Sequence, residues 1–519
     1  MQKIILIICM LISVSVYAQV PEDALRYSWF SQNGTARNMA IGGAMGSLGG
    51  DITATFINPA GIGFYKTGEV VITPSFLLND NKANYRDNIT SGKKNGFNFG
   101  PTGIILGSVS RRRPENSSAF SFAINQSANF NNTIRYNALN NYSSFSEQFA
   151  EEFAKSGYNI NDALNTLSPL PYSSALGLYT YLIDTVTING ETVVRGAPEY
   201  LLDSGMAVRQ DMYKKTGGGL YDFSFAFAGN NKDKFLWGIS LGVPLVHYSS
   251  NTTFTESDTS TNAFNRFESF TYHDEFISNG IGFNLKLGAI FKPAEYFRLG
   301  LAVHTPTYMV LTETRTSNLT TNTETPTGAV QSLSISSREF TNNQEGETHY
   351  TQTSPWKAIL SASYVFREIE NVKKQRGFIT ADIEYVHHRG TRFRSDAEEQ
   401  VDRDRDKPYY KALNNVVKDT YKGAFNFKVG GELKFNTIMG RLGFAYYGKP
   451  YKDDEFKANQ MLLSGGLGYR NKGFFIDVTY VHKIIKDVSF PYRLEDRANT
   501  FATLKQKQGN IVATVGFKF

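Results

Sequence analysis

The chain has 519 residues, 14% of them aromatic, with 45 glycines and a formal net charge of +6. This charge is too balanced to predict a nucleic-acid partner. The single cysteine, Cys9, excludes a disulfide framework and a cluster of thiolate metal ligands.

Residues 1–18 have the layout of a secretory signal peptide. Lys3 precedes an uncharged apolar run from Ile4 to Val16, and the small residue Ala18 stands directly before Gln19. We therefore expect the mature chain to begin at Gln19 and to leave the cytoplasm. After this run the sequence has no stretch of about 18 apolar residues, so any membrane location has to be reached by strands.

From residue 69 onward the sequence predicts β-strands. Alternate positions are apolar within segments of about ten residues, as in a transmembrane strand. In one segment Phe425, Phe427 and Val429 share a face, while Asn426 and Lys428 share the other. A soluble sandwich is the alternative that such alternation leaves open. The fourteen segments are Glu69–Leu78, Phe97–Val109, Ser118–Phe130, Leu220–Gly229, Phe235–Tyr248, Ile281–Phe291, Phe297–Thr305, Trp356–Phe366, Gly377–His388, Ala424–Phe435, Gly440–Gly448, Leu462–Arg470, Phe474–Val481 and Asn510–Phe519.

The connections between these segments favour a barrel over a sandwich. Short turns such as Asn230–Lys234 and Asn436–Met439 alternate with long loops such as Asn131–Gly219 and Pro306–Pro355. Outer-membrane barrels have short periplasmic turns and long extracellular loops, and their strand number is even. We therefore predict an all-β fold, a 14-stranded antiparallel transmembrane β-barrel over residues 69–519, in the outer membrane of a diderm (Gram-negative) bacterium.

The last segment ends in an aromatic residue. One of its faces carries Ile511, Ala513, Val515, Phe517 and Phe519. This ending resembles the signal that the outer-membrane assembly machinery reads, so we expect that machinery to be a partner through Phe519. Because backbone groups in lipid must be paired, we also expect the first strand to close against the last.

Residues 19–68 show no sustained strand or helix period and are rich in glycine. A fourteen-stranded barrel is wider than the eight-stranded case whose side chains fill the interior, so this segment is expected to plug the lumen. Its runs Gly34–Arg37, Gly42–Asp51 and Phe56–Gly61 resemble the N-terminal hatch of the long-chain fatty acid transporter family, which includes toluene and xylene uptake channels. The triplet Asn58, Pro59 and Ala60 is similar to the hatch motif of that family. Further similarity at 282–293, 298–306 and 355–356 extends the resemblance over nearly the whole mature chain, in the manner of the Bacteroidota branch.

The resemblance implies a monomeric barrel with a hatch at residues 19–68, no cofactor and no catalysed reaction. It implies passive transport of a hydrophobic small molecule, of the long-chain fatty acid or aromatic hydrocarbon type. Such a ligand would bind a greasy groove at the loop helices, pass to an inner pocket, and leave sideways into outer-membrane lipid beside a kinked third strand. The polar residues Asn125, Gln126, Ser127 and Asn129 in the third segment favour a kink or gap there.

Five residues are candidate ligand contacts. Ser144–Ala154 is predicted to be a helix, and Phe145, Phe149 and Phe153 form a stripe along it that is either a ligand groove or, more commonly, local loop packing. Lys286 and Lys428 face inward near mid-barrel and could bind an anionic headgroup, which needs a cation in an apolar pocket. Salt bridges within the lumen, for example to Asp382 and Glu384, are the commoner role for such lysines.

Other chemistry is weakly indicated. The glycine run 42–50 lacks the Gly-Lys-Ser/Thr ending of a phosphate loop, so nucleotide binding is not predicted. The pair His387-His388 leaves a haem-type ligand as an alternative to an ordinary rim position. We predict no catalytic residue and no metal site. A second hypothesis is a secretion or assembly partner barrel, like a type IX shuttle, and the length of the loop Asn131–Gly219 keeps it open.

Overall fold

The computed structural model describes residues 23–188, 190–324, 328–366 and 376–519. The predicted signal peptide, the four residues after it and most of the predicted turn Arg367–Arg376 lie outside the described residues. No helix within the described ranges is long and apolar enough to cross a membrane.

Fourteen antiparallel strands form one closed barrel, which confirms the predicted fold class. The first strand closes against the last, as predicted, with Val70 opposite Phe517 and Phe76 opposite Ile511. The strands are β1 (Glu69–Ile72 and Pro74–Tyr85), β2 (Asn88–Lys93, Gly96–Phe99 and Thr102–Val109), β3 (Ser117–Asn129 and Asn132–Asn140), β4 (Val208–Asn231), β5 (Phe235–Asp258), β6 (Ser269–Ala294), β7 (Phe297–His304 and Tyr308–Glu324), β8 (Gly346–Thr353 and Lys357–Phe366), β9 (Gly377–His387 and Arg392–Ser395), β10 (Gly423–Phe435), β11 (Ile438–Tyr447), β12 (Asn459–Asn471), β13 (Phe474–Ser489) and β14 (Ala502–Lys518).

The outer face of the barrel has an apolar band at its lower end and a polar surface above it. On β5, outward-facing Trp237, Ile239 and Leu241 are exposed and apolar, whereas Thr253 and Thr255 further along the same face are polar. A tilted strand needs about 9–11 residues to cross the bilayer. Because β5 has 24 residues, its upper half extends beyond the lipid into the extracellular space.

Several strands are therefore longer than the sequence predicts. The ladder between β4 and β5 continues from Asn231 up to Val208, twelve residues beyond the predicted start of this strand at Leu220. Above the lipid band the outward positions face water and are polar, so the alternation of hydrophobicity ends although the backbone pairing continues. The predicted ends of these strands were wrong for this physical reason.

The upper halves of β3 to β7 enclose an extracellular core formed with the long loop after β3. We name this core, together with loop residues 141–207, the cap. The predicted helix at Ser144–Ala154 is present two residues further along the chain, at Ser146–Ser156. The loop helices are α4 (Ser146–Ser156), α5 (Ile160–Ala163), α6 (Ser174–Tyr179) and α7 (Glu199–Asp203), with a hairpin of Ile183–Ile188 and Glu191–Gly196, and α8 (Gln400–Thr420) follows β9. A further strand, Val330–Ser336, and short 3-10 turns at Ser337–Phe340 and His388–Gly390 complete the loops.

Residues 23–68, which we name the N-terminal segment, lie inside the barrel. Their elements are the short helices α1 (Asp23–Arg26), α2 (Ala36–Ala40) and α3 (Ala54–Ile57) and a 3-10 helix at Pro59–Phe64. The segment reaches opposite sides of the wall, because Thr55 Oγ1 lies 2.8 Å from Ser121 Oγ on β3 and the Met45 N–H donates to Asp382 Oδ2 on β9 at 2.9 Å. Inward-facing glycines of the wall make room for it. A Cβ added to Gly443 would lie 2.1 Å from the backbone nitrogen of Gly42.

Candidate ligand-binding site

A cavity of about 370 Å³ lies beside the first part of the N-terminal segment. Aromatic side chains from the segment and from the wall surround it. They are Trp29, Phe30, Phe130, Tyr248 and Tyr451. The lining of the cavity is also rich in amide and hydroxyl side chains. Its polar members include Asn98, Gln126, Ser127, Asn129, Asn131, Asn132, Gln460, Gln506, Gln508 and Asn510.

The cavity adjoins a break in the barrel wall between β2 and β3. Backbone pairing between these strands runs from Val109 opposite Ser117 to Thr102 opposite Ile124 and is not continued above that point in the described residues. Gly96–Phe99 pairs with β1, and Asn125–Asn129 pairs with β4, so each strand edge faces the break. Pro101 has no N–H to donate across it. The register of β3 against β4 also shifts next to Ser127, which is the irregularity that the polar third segment predicts.

Higher up, side chains link the two strands again. Asn88 Nδ2 of β2 donates to the carbonyl oxygen of Asn137 on β3 at 2.8 Å. The same Asn88 Nδ2 donates to Asn137 Oδ1 at 2.7 Å. The break is therefore a window with closed ends, and Asn98 and Asn129, which both line the cavity, stand on its two sides.

Lys483, which lines the cavity together with Lys214, is a candidate ligand contact that the predicted strands do not indicate. Its ammonium group donates to Ser31 Oγ at 2.8 Å, and no described carboxylate forms an ion pair with it. The predicted strand ended at Val481, so Lys483 was assigned to a loop. The sequence nevertheless contains a signal for Lys483. Alternate residues of a strand face the same side, and Lys483 follows the inward-facing residues Asp477, Thr479 and Val481 at this two-residue spacing.

The two lysines predicted as headgroup contacts have carboxylate partners. Lys286 Nζ lies 3.1 Å from Asp222 Oδ2 and lines a second, smaller cavity of about 90 Å³. Lys428 Nζ lies 3.3 Å from Glu384 Oε2 and is not among the described residues that line either cavity. The expected lumen salt bridges are thus present, and a role for these lysines in ligand binding stays a prediction.

The predicted phenylalanine stripe lies in the core of the cap. Phe149 is 1% exposed, and the ring of Phe145 stacks on Phe254 with 4.8 Å between centroids. Phe153 is also buried in this cluster. The three rings pack against cap residues, and a ligand groove along the stripe stays a prediction.

Two buried carboxylates, Glu147 on α4 and Glu256 on β5, accept hydrogen bonds from backbone N–H groups at the start of α4. Glu256 is fully buried and accepts hydrogen bonds from the Phe145 N–H at 3.2 Å and from Gln210 Nε2 at 2.9 Å. Burial raises the pKa of Glu256 to about 7. Burial likewise raises the pKa of Glu147, whose Oε1 accepts from the Ser144 N–H, to about 7.

The predicted motif Asn58, Pro59 and Ala60 anchors the N-terminal segment. Asn58 is fully buried, and its Nδ2 donates to the Gly46 carbonyl oxygen at 2.5 Å and to the Ala289 carbonyl oxygen of β6 at 3.3 Å. Its Oδ1 accepts from the Ala60 N–H at 3.1 Å, which caps the 3-10 helix begun by Pro59. The motif thus ties a turn of the segment to the barrel wall.

The histidine pair lies at the top of β9. His388 is buried, and His387 stacks on Trp356 with 5.8 Å between centroids. The described ranges contain no group of three or more His, Cys, Asp or Glu side chains that could hold a metal ion.

Comparison with known proteins identifies the fold. No protein-family model and no curated protein sequence matches the chain. The structure is similar to that of a FadL homologue from Pseudomonas aeruginosa, with a TM-score of 0.52 and 13% sequence identity, covering 94% of this chain and 99% of that chain. The two chains share a fold. The toluene transporters TbuX of Ralstonia pickettii (TM-score 0.49, 14% identity) and TodX of Pseudomonas putida (TM-score 0.47, 14% identity) are also similar, each covering 94% of this chain and 99% of its own.

The barrel and its apolar band give the location. Apart from the break between β2 and β3, the strands pair with their neighbours around the whole barrel. Such closure, with an outward apolar band, is the mark of outer-membrane barrels. The chain is an outer-membrane β-barrel of a Gram-negative bacterium, as the sequence predicts.

Proposed function

We propose that the chain transports a small molecule with a hydrophobic part passively across the outer membrane, without catalysing a reaction. The observation that carries this proposal is the cavity of about 370 Å³ beside a break in the barrel wall. A pocket of this size suits a small ligand, and the break offers a path from the pocket to the bilayer. The FadL homologue and the toluene transporters with this kind of barrel support the same class of substrate.

In this proposal residues 19–68 act as a hatch. The hatch motif holds the N-terminal segment against glycines of the wall, and a buried ionic group lies below it. There Arg441 is paired with Glu432 at 2.6 Å and with Asp477 at 2.5 Å. Since this packing obstructs a straight path down the lumen, the ligand would leave sideways between β2 and β3 into the outer leaflet. The cap side would be the side of entry.

Linking the two edges of the break tests this route. The mature chain has no cysteine, so Asn98→Cys with Asn129→Cys can be joined by a cleavable bismaleimide without side reactions. Ser108→Cys with Ser118→Cys is the matched control, because these positions face each other where β2 and β3 are already paired. Uptake of radiolabelled toluene, octanoate and octyl glucoside into proteoliposomes is the measurement.

We expect the link at the break to stop uptake, cleavage of the linker to restore it, and the control link to leave it unchanged. Normal uptake with the break linked would show that release is not lateral. Failure of the unlinked protein to take up any of the three probes would show that transport itself is the wrong function.

A further inference from the structure

Polar atoms without partners converge on the cavity. Seven buried polar atoms that have no hydrogen-bond partner in the described residues belong to side chains that line it. They are Arg26 Nη1, Trp29 Nε1, Asn98 Oδ1, Ser127 Oγ, Asn129 Nδ2, Gln460 Oε1 and Asn510 Oδ1. Leaving a buried polar group without a hydrogen bond is unfavourable. A ligand whose head reaches these atoms is therefore favoured if it supplies the missing hydrogen bonds.

The chemistry of these atoms limits the ligand. A hydrocarbon offers no hydrogen bond at all. A carboxylate only accepts, so it can pair with Arg26 Nη1, with Trp29 Nε1 or with the ammonium group of Lys483, but it leaves the amide oxygens without a donor. A hydroxyl group both donates and accepts, and so does every amide of the wall even if its oxygen and nitrogen are exchanged. A head with several hydroxyl groups therefore fits this wall better than an acid or a hydrocarbon.

The aromatic side of the cavity suits the same ligand. The rings of Trp29, Phe30 and Tyr451 line the same cavity as the amides, whereas the Arg26 guanidinium lies over the ring of Tyr248, 4.1 Å from its centroid. The C–H face of a cyclic polyol can lie on such rings while its hydroxyl groups reach the polar wall. On the lipid side of the break, Phe97 is 83% exposed and its ring centroid lies 5.2 Å from that of Phe76. These two rings form an apolar surface that an alkyl or aryl tail can contact.

We propose that the cavity binds the polyhydroxylated, sugar-like head of an amphiphile whose apolar tail points towards the break between β2 and β3. This inference rests on the proposed transport function and names the substrate class for it. A cavity of about 370 Å³ accommodates such a head, since pockets for small ligands begin at about 300 Å³.

Trp29 provides an internal reporter for the test. The chain has three tryptophans, and the other two, Trp237 and Trp356, are 45% and 41% exposed on the outside of the barrel. The double variant Trp237→Phe, Trp356→Phe therefore reports the cavity through Trp29 fluorescence. The full mature chain in phosphatidylcholine nanodiscs is titrated with octyl β-D-glucoside below its micelle concentration, with octanoate, with toluene and with glucose.

We expect octyl glucoside to change the Trp29 emission at concentrations at least roughly tenfold lower than octanoate, toluene or glucose. Tenfold corresponds to about 1.4 kcal/mol, a typical net gain from one or two hydrogen bonds. In the same background Gln460→Met should weaken octyl glucoside roughly three- to tenfold and leave toluene unchanged. Gln331→Met, on the exposed strand Val330–Ser336, is the matched control and should change neither.

The outcomes separate this inference from the transport function. The polyol assignment is wrong if octanoate or toluene binds as tightly as octyl glucoside. It is also wrong if Gln460→Met leaves the affinity for octyl glucoside unchanged while heat-modifiable gel mobility shows that the variant barrel is folded. In both cases transport of a hydrophobe still stands. If glucose binds as tightly as octyl glucoside, the tail has no role and the amphiphile assignment is wrong. If no probe binds here and none is taken up by proteoliposomes, the transport function fails as well.

Discussion

The barrel lumen is filled in two different ways. In the lower half the backbone of the N-terminal segment lies against glycines, and its N–H groups meet side chains of the wall, as where Met45 and Gly46 donate to Asp382 Oδ2 at 2.9 and 3.0 Å. In the upper half the cap closes over stacked aromatic rings such as Phe145 and Phe254. The lower contact combines hydrogen bonds with small apolar clusters, such as those around Met45 and Phe56, whereas the upper one is a single large apolar core. The segment is therefore held by several separate contacts and the cap by one continuous core.

The largest effect is expected from a side chain placed in the seat of the N-terminal segment. In Gly443→Leu the new Cβ would lie 2.1 Å from the Gly42 nitrogen and 2.2 Å from the Ile41 carbonyl carbon. Overpacking a core costs about 1–3 kcal/mol when side chains can yield, and here backbone would have to yield. We expect the segment to leave its seat and ion conductance in planar bilayers to rise from background to that of an open pore.

Gly465→Leu is the matched control for this variant. Gly465 is on the neighbouring strand β12 but faces outward, and an added Cβ there meets the flexible Leu442 side chain at 3.3 Å and the Arg441 carbonyl oxygen at an ordinary 3.8 Å. Conductance should stay at background. If both variants insert as folded barrels and conduct equally little, the close fit of the segment is not what keeps the lumen shut.

The next largest effect concerns the apolar cap. Phe149→Ala removes a ring that is 1% exposed and lies 5.1 Å from Phe145 and 5.6 Å from Tyr272. The loss should lower the free energy of opening of the cap by about 3–5 kcal/mol. Hydrogen exchange of the α4 amides measures it, and Tyr158→Ala, whose ring is 48% exposed, should change exchange little. Unchanged protection in Phe149→Ala would mean that the aromatic cluster does not hold the cap closed.

The barrel itself was predictable because the bilayer acts on each strand separately. Every outward position of β10 from Phe425 to Phe435 faces lipid, so the pattern fixes the strand to within one residue of its observed start at Gly423. On β4 the pattern stops near Leu220 because the outward residues Arg209, Asp211 and Lys215 face water. Strand length above the membrane is set by packing under the cap, which no single segment reveals.

The binding site was much less predictable. Lys286 and Lys483 both occupy inward-facing positions of their strands. Among the contacts described, Lys286 forms an ion pair with Asp222, whereas Lys483 forms only a hydrogen bond to the hydroxyl of Ser31. Trp29 and Asn510 lie at opposite ends of the chain and come together only because β1 closes on β14. The two-residue alternation of a strand identifies which side chains face the lumen. Which of these side chains form ion pairs or hydrogen bonds depends on how the strands pack in three dimensions.

The smallest effect is a pH dependence of the cap. The pKa of Glu256 in the folded cap is about 7, against an ordinary value of 4.5, because of its burial. Below pH 4.5 the carboxyl is protonated in both the closed and the open cap and contributes nothing. As the pH rises from 4.5 to about 7 the open form loses the proton first, so cap stability falls, by at most on the order of 3 kcal/mol. Glu147 acts in the same direction, and the nearby Ser144, Gln210 and Arg497 are the groups that oppose it.

Glu256→Gln tests this dependence, because a glutamine resembles the protonated acid and can still accept from the Phe145 N–H. With hydrogen exchange of the α4 amides corrected for the intrinsic effect of pH, the wild-type cap should open more readily at pH 8.5 than at pH 5.5. The variant should lose part of that difference and keep the part due to Glu147, and adding Glu147→Gln should remove most of the remainder. An equal pH response in wild type and double variant would show that the two carboxylates do not control the cap, and that its hold is purely the aromatic packing that Phe149→Ala removes.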